Sequence, residues 1–181
     1  MKLSADDLRK LPEDATISTP PKNPIYLITD NIYDTYNIGG LFRLADAISA
    51  TELFICGQSE TPPNHRIKKA SIGTYKIVPW RYFPDTLSAM RSLRSEVKDI
   101  QILALEQSSK SKNYWEVIYQ KPIAIVVGNE TSGCSQSTIE ACDGVIEIPM
   151  WGVNISMNVI VSSGIAVFEI LRQWKLQKSE I

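Results

Sequence analysis

The chain has 181 residues, a hydrophobic fraction of 44% and a formal net charge of -1. That is enough for one domain with a substantial core and argues against disorder. The balance lacks the basic excess usual in duplex binders, no apolar run is long enough to span a membrane, and the polar start does not read as a signal peptide. Cys56, Cys134 and Cys142 have no metal-ligand spacing, and an odd count argues against a disulfide framework, so a reducing cytoplasm is expected. Cys134 reads as a small buried filler.

Residues 1–24 are polar and proline-rich; a short helix over 4–10 and then a linker are expected. Strands are predicted at 25–29 (IYLIT), 52–56 (ELFIC), 75–80 (YKIVPW), 100–106 (IQILALE), 123–128 (IAIVVG) and 144–149 (GVIEIP). Helical patterns fall between them at 38–49, 84–96, 113–119, 136–142 and 157–175. Such alternation predicts an α/β fold with a mainly parallel sheet flanked by helices. Ligands of such sheets bind outside the C-terminal strand ends. Three unusual loops lie there, after 25–29, after 123–127 and after 144–149.

The first loop opens DNIYDTYNIGGLFRLADA (30–47), with Asn37 as the expected helix N-cap. At about 100° per residue, Ile38, Leu41, Phe42, Ala45 and Ile48 share one face, and Gly39, Gly40, Arg43 and Ala47 the other. Glycine inside a helix costs up to about 1 kcal/mol. Close helix packing explains the pair, and so does close approach of a ligand at which Arg43 is aimed. The second loop, GNETSGCS (128–135), starts as a P-loop does, but no lysine follows Gly133. Glu130 adds negative charge, so a nucleoside triphosphate fits poorly. A ligand with a positive centre or hydroxyl and amino donors fits better, and a plain glycine turn fits equally. The third segment runs from Ile148 through Met150 to a long helix, with Ser156 as its expected N-cap and Asn158 in its first turn. Ser162, Ser163 and Gly164 allow tight contact, inside the chain or across a homodimer. Arg66, Lys68 and Lys69 head a basic stretch that also holds Lys76 and Arg81. A solvated face or an RNA contact accounts for it. His65, beside it, is expected on an exposed loop.

Together these segments resemble the SpoU (TrmH-like) RNA methyltransferases of the SPOUT superfamily. Asn37, Gly39 or Gly40, and Arg43 match the family's Asn-x-Gly…Arg motif; three residues separate glycine from arginine counted from Gly39, two from Gly40. Gly128, Glu130 and Gly133 match Gly-x-Glu-x-x-Gly. Ile148-Pro149-Met150 and Ser156-Met157-Asn158 match Ile-Pro-Met and Ser-Leu-Asn, with methionine for leucine. KKASIGT (68–74) is similar to a family Lys-x-x-x-Gly-Ala stretch, with Thr74 for alanine. The resemblance covers 25–175, which leaves an extension at 1–24 and a tail at 176–181.

The resemblance implies a deep C-terminal trefoil knot (the α/β knot), an obligate homodimer, and S-adenosyl-L-methionine as cofactor without a metal. The implied reaction is methyl transfer to a ribose 2′-hydroxyl of tRNA, with rRNA as the second choice. Arg43 is implied as the group at the ribose or its phosphate. A guanidinium keeps its proton, so alkoxide stabilisation is expected rather than literal base chemistry. Asn37, Glu130, Ser156 and Asn158 would position it, with Glu130 facing Arg43 within or across subunits. Leu105, Gly128, Ile148 and Met157 would hold the cofactor through backbone groups, Glu106 would accept from its ribose, and Asn129, Gly133, Met150 and Ser156 complete the pocket. The alternatives are a non-catalytic RNA-binding homologue, a base methyltransferase and a P-loop-like phosphotransferase.

Overall fold

The computed structural model describes residues 2–13 and 17–177. The strands are β1 (Asn23–Asp30), β2 (Ala50–Cys56), β3 (Trp80–Phe83), β4 (Gln101–Leu105), β5 (Lys112–Asn113), β6 (Ile123–Gly128) and β7 (Gly144–Glu147). The helices are α1 (Ala5–Lys10), α2 (Thr35–Ala47), α3 (His65–Ser71), α4 (Thr86–Glu96), α5 (Gln136–Ala141) and α6 (Val159–Gln177). Every strand pairing is parallel, in the order β3-β2-β1-β6-β4-β7-β5.

The side-chain period of two explains how the strands are covered. In β6, buried at every position, Ile123, Ile125 and Val127 face one core and Ala124 and Val126 the other. The first core is closed by α2, through Ile38, Leu41, Phe42 and Ala45, and by α6, through Ala166, Val167, Ile170 and Trp174. The second is closed by Ala89, Met90 and Leu93 of α4, with Ile139 of α5 against it. Helices on both faces account for strands without polar alternation. Register levels the strand ends: Asp30 stands opposite Gly128, and Leu105 opposite both Val127 and Ile146. The loops after β1, β4, β6 and β7 therefore leave four neighbouring strands at one edge.

The predicted α/β class with a parallel sheet flanked by helices holds, and five local predictions do not. The strand expected at 75–80 is a 3-10 turn over Thr74–Lys76, and β3 starts at Trp80. Gly73, at φ +90°, turns the chain, and Tyr75 and Val78 go into the first core instead of a ladder. The helix expected at 113–119 is absent. Tyr114 N donates to Glu147 O, which keeps the chain extended, and the buried Tyr119 hydroxyl donates to Tyr114 O. α3 was not predicted, and it puts His65 on an exposed helix start instead of a loop. Finally, α2 begins at Thr35 with Asp34 as its cap, so Asn37 lies inside the helix, and Asn158 rather than Ser156 directly precedes α6, its Oδ1 accepting from Ile160 N at 2.9 Å. Of the expected tail 176–181, residues 178–181 lie outside the described part.

Candidate functional site

A cavity of about 500 Å³ opens at that edge of the sheet, within the size range of small-molecule sites. Its walls are the ends of β4, β6 and β7, the loop 128–133 and the segment 148–158. Every residue expected to hold a cofactor lines it: Leu105, Glu106, Gly128, Asn129, Gly133, Ile148, Met150, Ser156 and Met157. Gln107, Glu147, Asn154 and Ser162 line it too, unforeseen. Gln107 Nε2 donates to Ile155 O at 2.6 Å and ties the segment to the end of β4. Among the described residues, the lining holds Glu106, Glu130 and Glu147 and no lysine, arginine or histidine. Such a wall repels phosphate and accepts a cation. The phosphotransferase reading has no support here.

Three of the expected catalytic residues meet in one hydrogen-bonded relay. Asn37 Nδ2 donates to Glu130 Oε1 at 2.8 Å, and Asn158 Nδ2 donates to Asn37 Oδ1 at 2.9 Å. One residue comes from each sequence segment, so the relay joins α2, the loop after β6 and the start of α6. Glu130 also accepts from Asp34 N at 3.1 Å and Tyr33 N at 3.3 Å, at the amino end of α2. Burial alone pushes its carboxyl up; the bonds from Asn37 and the backbone outweigh this and leave it below the ordinary glutamate value.

Arg43 is not part of the relay. It is exposed, and among the described residues it forms no hydrogen bond or ion pair, with Glu130 or any other group. The helical repeat explains the separation: residues 37 and 43 project about 120° apart, roughly 9 Å along the axis. The glycines mark what flanks Arg43. A Cβ on Gly39 would run into Ala70 and the Ser71 backbone of α3, and one on Gly40 into the Ile160 side chain of α6. Close helix packing, rather than ligand approach, explains both. Arg43 projects between those two directions, on the outer ridge of α2 with the exposed Tyr36.

The loop 128–135 is held from within. Asn129 and Gly133 exchange backbone bonds of 3.0 and 2.9 Å, and Asn129 Oδ1 accepts from Thr131 N and Ser132 N. A Cβ on Gly128 would overlap the backbone of Gly133 and Cys134, so this glycine serves the loop's own fold-back. Gly133, at φ +67°, lies under the Glu106 carboxylate, which accepts from Cys134 N at 2.8 Å and Gln107 N at 2.9 Å. Glu106 thus braces the loop while lining the cavity. Cys134 is buried; burial first, then the charges of Glu106 and Asp30, push its thiol well above its ordinary value, which suits a filler.

Asp30, 3% exposed, was missed. It accepts from Ser135 N at 2.9 Å and the Thr86 hydroxyl at 2.8 Å. Burial pushes its carboxyl up, but those bonds, with others from Thr138 and Ser135, hold it below the ordinary value. Its signal was a lone charge closing an apolar strand. Arg66, Lys68 and Lys69 lie on α3, away from the cavity lining, and Lys68 pairs with Glu13 at 2.5 Å.

With this geometry in hand, comparison with known proteins is decisive. The model of the SpoU rRNA Methylase family matches residues 24–168. The chain belongs to the SpoU family. Over 152 residues this SpoU chain is 31% identical to a protein named 23S rRNA (guanosine-2'-O-)-methyltransferase RlmB of Vibrio parahaemolyticus, covering 84% of the chain and 60% of the relative. It is 30% identical to a tRNA (guanosine(18)-2'-O)-methyltransferase of Thermus thermophilus over 147 residues, 81% of the chain and 74% of the relative. It spans about three fifths of the length of the 23S relatives it matches. Among solved structures it is similar to the A. aeolicus TrmH/SpoU tRNA modifying enzyme, with TM-score 0.74 and 26% identity over 96% of the chain and 84% of that one. An AdoMet-bound rRNA methyltransferase from Sinorhizobium meliloti gives TM-score 0.76 and 25% identity, over 91% of the SpoU chain and 59% of its own.

Proposed function

We propose that this SpoU protein transfers a methyl group from S-adenosyl-L-methionine to a ribose 2′-hydroxyl of RNA. The observation that carries the proposal is the cavity lined by three glutamates and no basic residue among those described, joined by the Asn37–Glu130–Asn158 relay to the helix that carries Arg43. A sulfonium cofactor fits such a wall; a triphosphate does not. Relatives named for ribose 2′-O-methylation and an AdoMet-bound neighbour support the same reading.

When bound, the cofactor supplies a methyl group already activated for transfer. Leu105, Gly128, Ile148 and Met157 would hold its adenosine and methionine parts. The work left to the chain is to orient the ribose hydroxyl and take up charge as its proton leaves. Arg43 is assigned that part: its guanidinium has no carboxylate partner among the described residues, so its charge is available to a phosphate or a developing alkoxide. The relay fixes α2 against the cavity, and Ser156, whose hydroxyl makes no hydrogen bond among the described residues, is left to meet the substrate.

The reading extends to a homodimer with an interfacial active site. Val161 and Phe168 on α6, Tyr36 on α2 and Trp151, Val153 and Ile155 in the segment before α6 are exposed apolar side chains that a second copy would cover. It also extends to the knotted path of the family, to Arg66, Lys68 and Lys69 as RNA contacts, to a tRNA substrate, and to a catalytic unit of 25–175 flanked by 1–24 and 176–181. Arg43→Ala tests the core assignment. Calorimetry with S-adenosylhomocysteine should show unchanged affinity, and a radiolabel assay on RNA should lose at least about 100-fold in rate. Full transfer by the variant would overturn the role.

A further inference from the structure

The N-terminal segment is docked on α3 and the 3-10 turn that follows it, by the Glu13 carboxylate and by backbone carbonyls at the end of α1. Glu13 accepts from Lys68 Nζ at 2.5 Å and from the Tyr75 hydroxyl at 2.7 Å through each oxygen. Lys76 Nζ donates to Arg9 O at 3.2 Å and to Leu11 O, at the carboxyl end of α1. Gly73 admits the Leu8 carbonyl at a distance that a Cβ would forbid. Both lysines sit over the Tyr75 ring, at 5.9 and 5.8 Å from its centroid. Tyr75 is only 6% exposed, so its hydroxyl is a fixed donor rather than a mobile one. One ammonium group and a phenol meet on one carboxylate, and the charge of Lys76, held on the arm's carbonyls, acts on it from beside them; this makes an oxyanion site, and the chain fills it with its own acid. Arg66 and Lys69, on the same short helix, are exposed beside it.

From this geometry we propose that Lys68 and Tyr75, with Lys76 beside them, form a binding site for an RNA backbone phosphate, and that Glu13 of the N-terminal arm holds the site closed until RNA displaces it. A backbone phosphate presents the same paired oxygens as the carboxylate it replaces, with the same single negative charge. The effect is local: from Lys2 to Glu13 the arm carries three basic side chains (Lys2, Arg9, Lys10) and three acidic ones (Asp6, Asp7, Glu13), so it adds no net charge to the face. The pair is exposed, at 40% for the Lys68 side chain and 56% for that of Glu13, so exchange with a competing anion is cheap. The inference rests on the RNA reading above and adds to it a masked contact and its mask.

The test is fluorescence anisotropy of a labelled single-stranded RNA oligonucleotide, titrated with full-length protein across a series of KCl concentrations. Glu13→Gln should bind about fivefold more tightly than the unaltered protein, the scale on which one exposed charge pair acts. Its salt slope should steepen by about 0.7 for each added phosphate contact. In a Lys68→Gln background, the same change at Glu13 should give no gain. Equal affinity and slope for Glu13→Gln, or an undiminished gain in the Lys68→Gln background, would overturn the masked site while leaving RNA binding intact. Failure of every protein to bind RNA, with S-adenosylhomocysteine still bound and thermal unfolding unchanged, would instead remove the RNA reading and the proposal with it.

Discussion

Replacing Asn37 by alanine removes the middle of the relay. Asn37 is 5% exposed, so its bonds are made where water does not substitute freely. The bond to the Glu130 carboxylate is charge-assisted and stabilises by about 1.5–3 kcal/mol; the neutral bond from Asn158 adds about 0.5–1.5 kcal/mol. Three effects reduce the loss. Glu130 keeps its two backbone donors, the Asn158 amide turns to solvent, and alanine suits a helix interior better by about half a kcal/mol. The net expectation is a loss of about 2 kcal/mol, or roughly 4–8 °C in Tm for a chain of this length. Urea unfolding followed by tryptophan fluorescence would measure it, with the m-value unchanged. Asn158→Ala should also destabilise, and the double variant should fall short of the sum, because the shared bond is lost only once. A change under about 0.5 kcal/mol for Asn37→Ala, or strict additivity of the pair, would refute the relay as a source of stability.

The two glycines of α2 should separate in the same assay. Gly39→Ala meets Ala70 and α3 backbone, which cannot move away, and should cost about 1–2 kcal/mol, whereas Gly40→Ala meets the far end of Ile160, which can turn aside, and should stay within about 0.5 kcal/mol. Equal losses would contradict the packing. Glu130 bears on pH. Its folded-state value lies below the ordinary one, so its contribution to stability is complete above the ordinary glutamate range and is lost as pH falls through that range towards the folded value. Glu130→Gln should flatten stability against pH there, and an unchanged profile would show that the carboxylate is not held as described.

Much of this was legible from residue pattern. The strand at IAIVVG and the apolar helical face of 38–48 were read from the sequence, and the structure buries both, the strand on its two sides and the helix in the first core. The joint role of 37, 130 and 158 was implied by the family resemblance, and all three loops leave C-terminal strand ends, where ligands of parallel sheets bind. What lay outside the pattern has physical causes. In α3 only Ile67 and Ser71 are buried, so it shows no amphipathic repeat, and it is set by the Asn64 cap and ended by Ile72 in the left-handed region at φ 56°. Residues 113–119 carry a helical spacing, yet backbone pairing to β7 overrides it. The choice between packing and ligand approach at Gly39 and Gly40 needed the neighbouring helices. Within the chain Glu130 pairs with Asn37 and not with Arg43, because a carboxylate near the amino end of α2 finds backbone donors closer than a guanidinium almost two turns on; the pairing across subunits is a matter for the dimer.

The central claim is methyl transfer to ribose. The direct measurement incubates the protein with S-adenosyl-L-methionine labelled in its methyl group and with unmodified tRNA or rRNA transcripts, then hydrolyses the RNA in alkali. The account predicts label in alkali-resistant dinucleotides, since a methylated 2′-oxygen cannot attack the neighbouring phosphate. Label recovered only in methylated bases, or no label in any RNA despite bound cofactor, would contradict it.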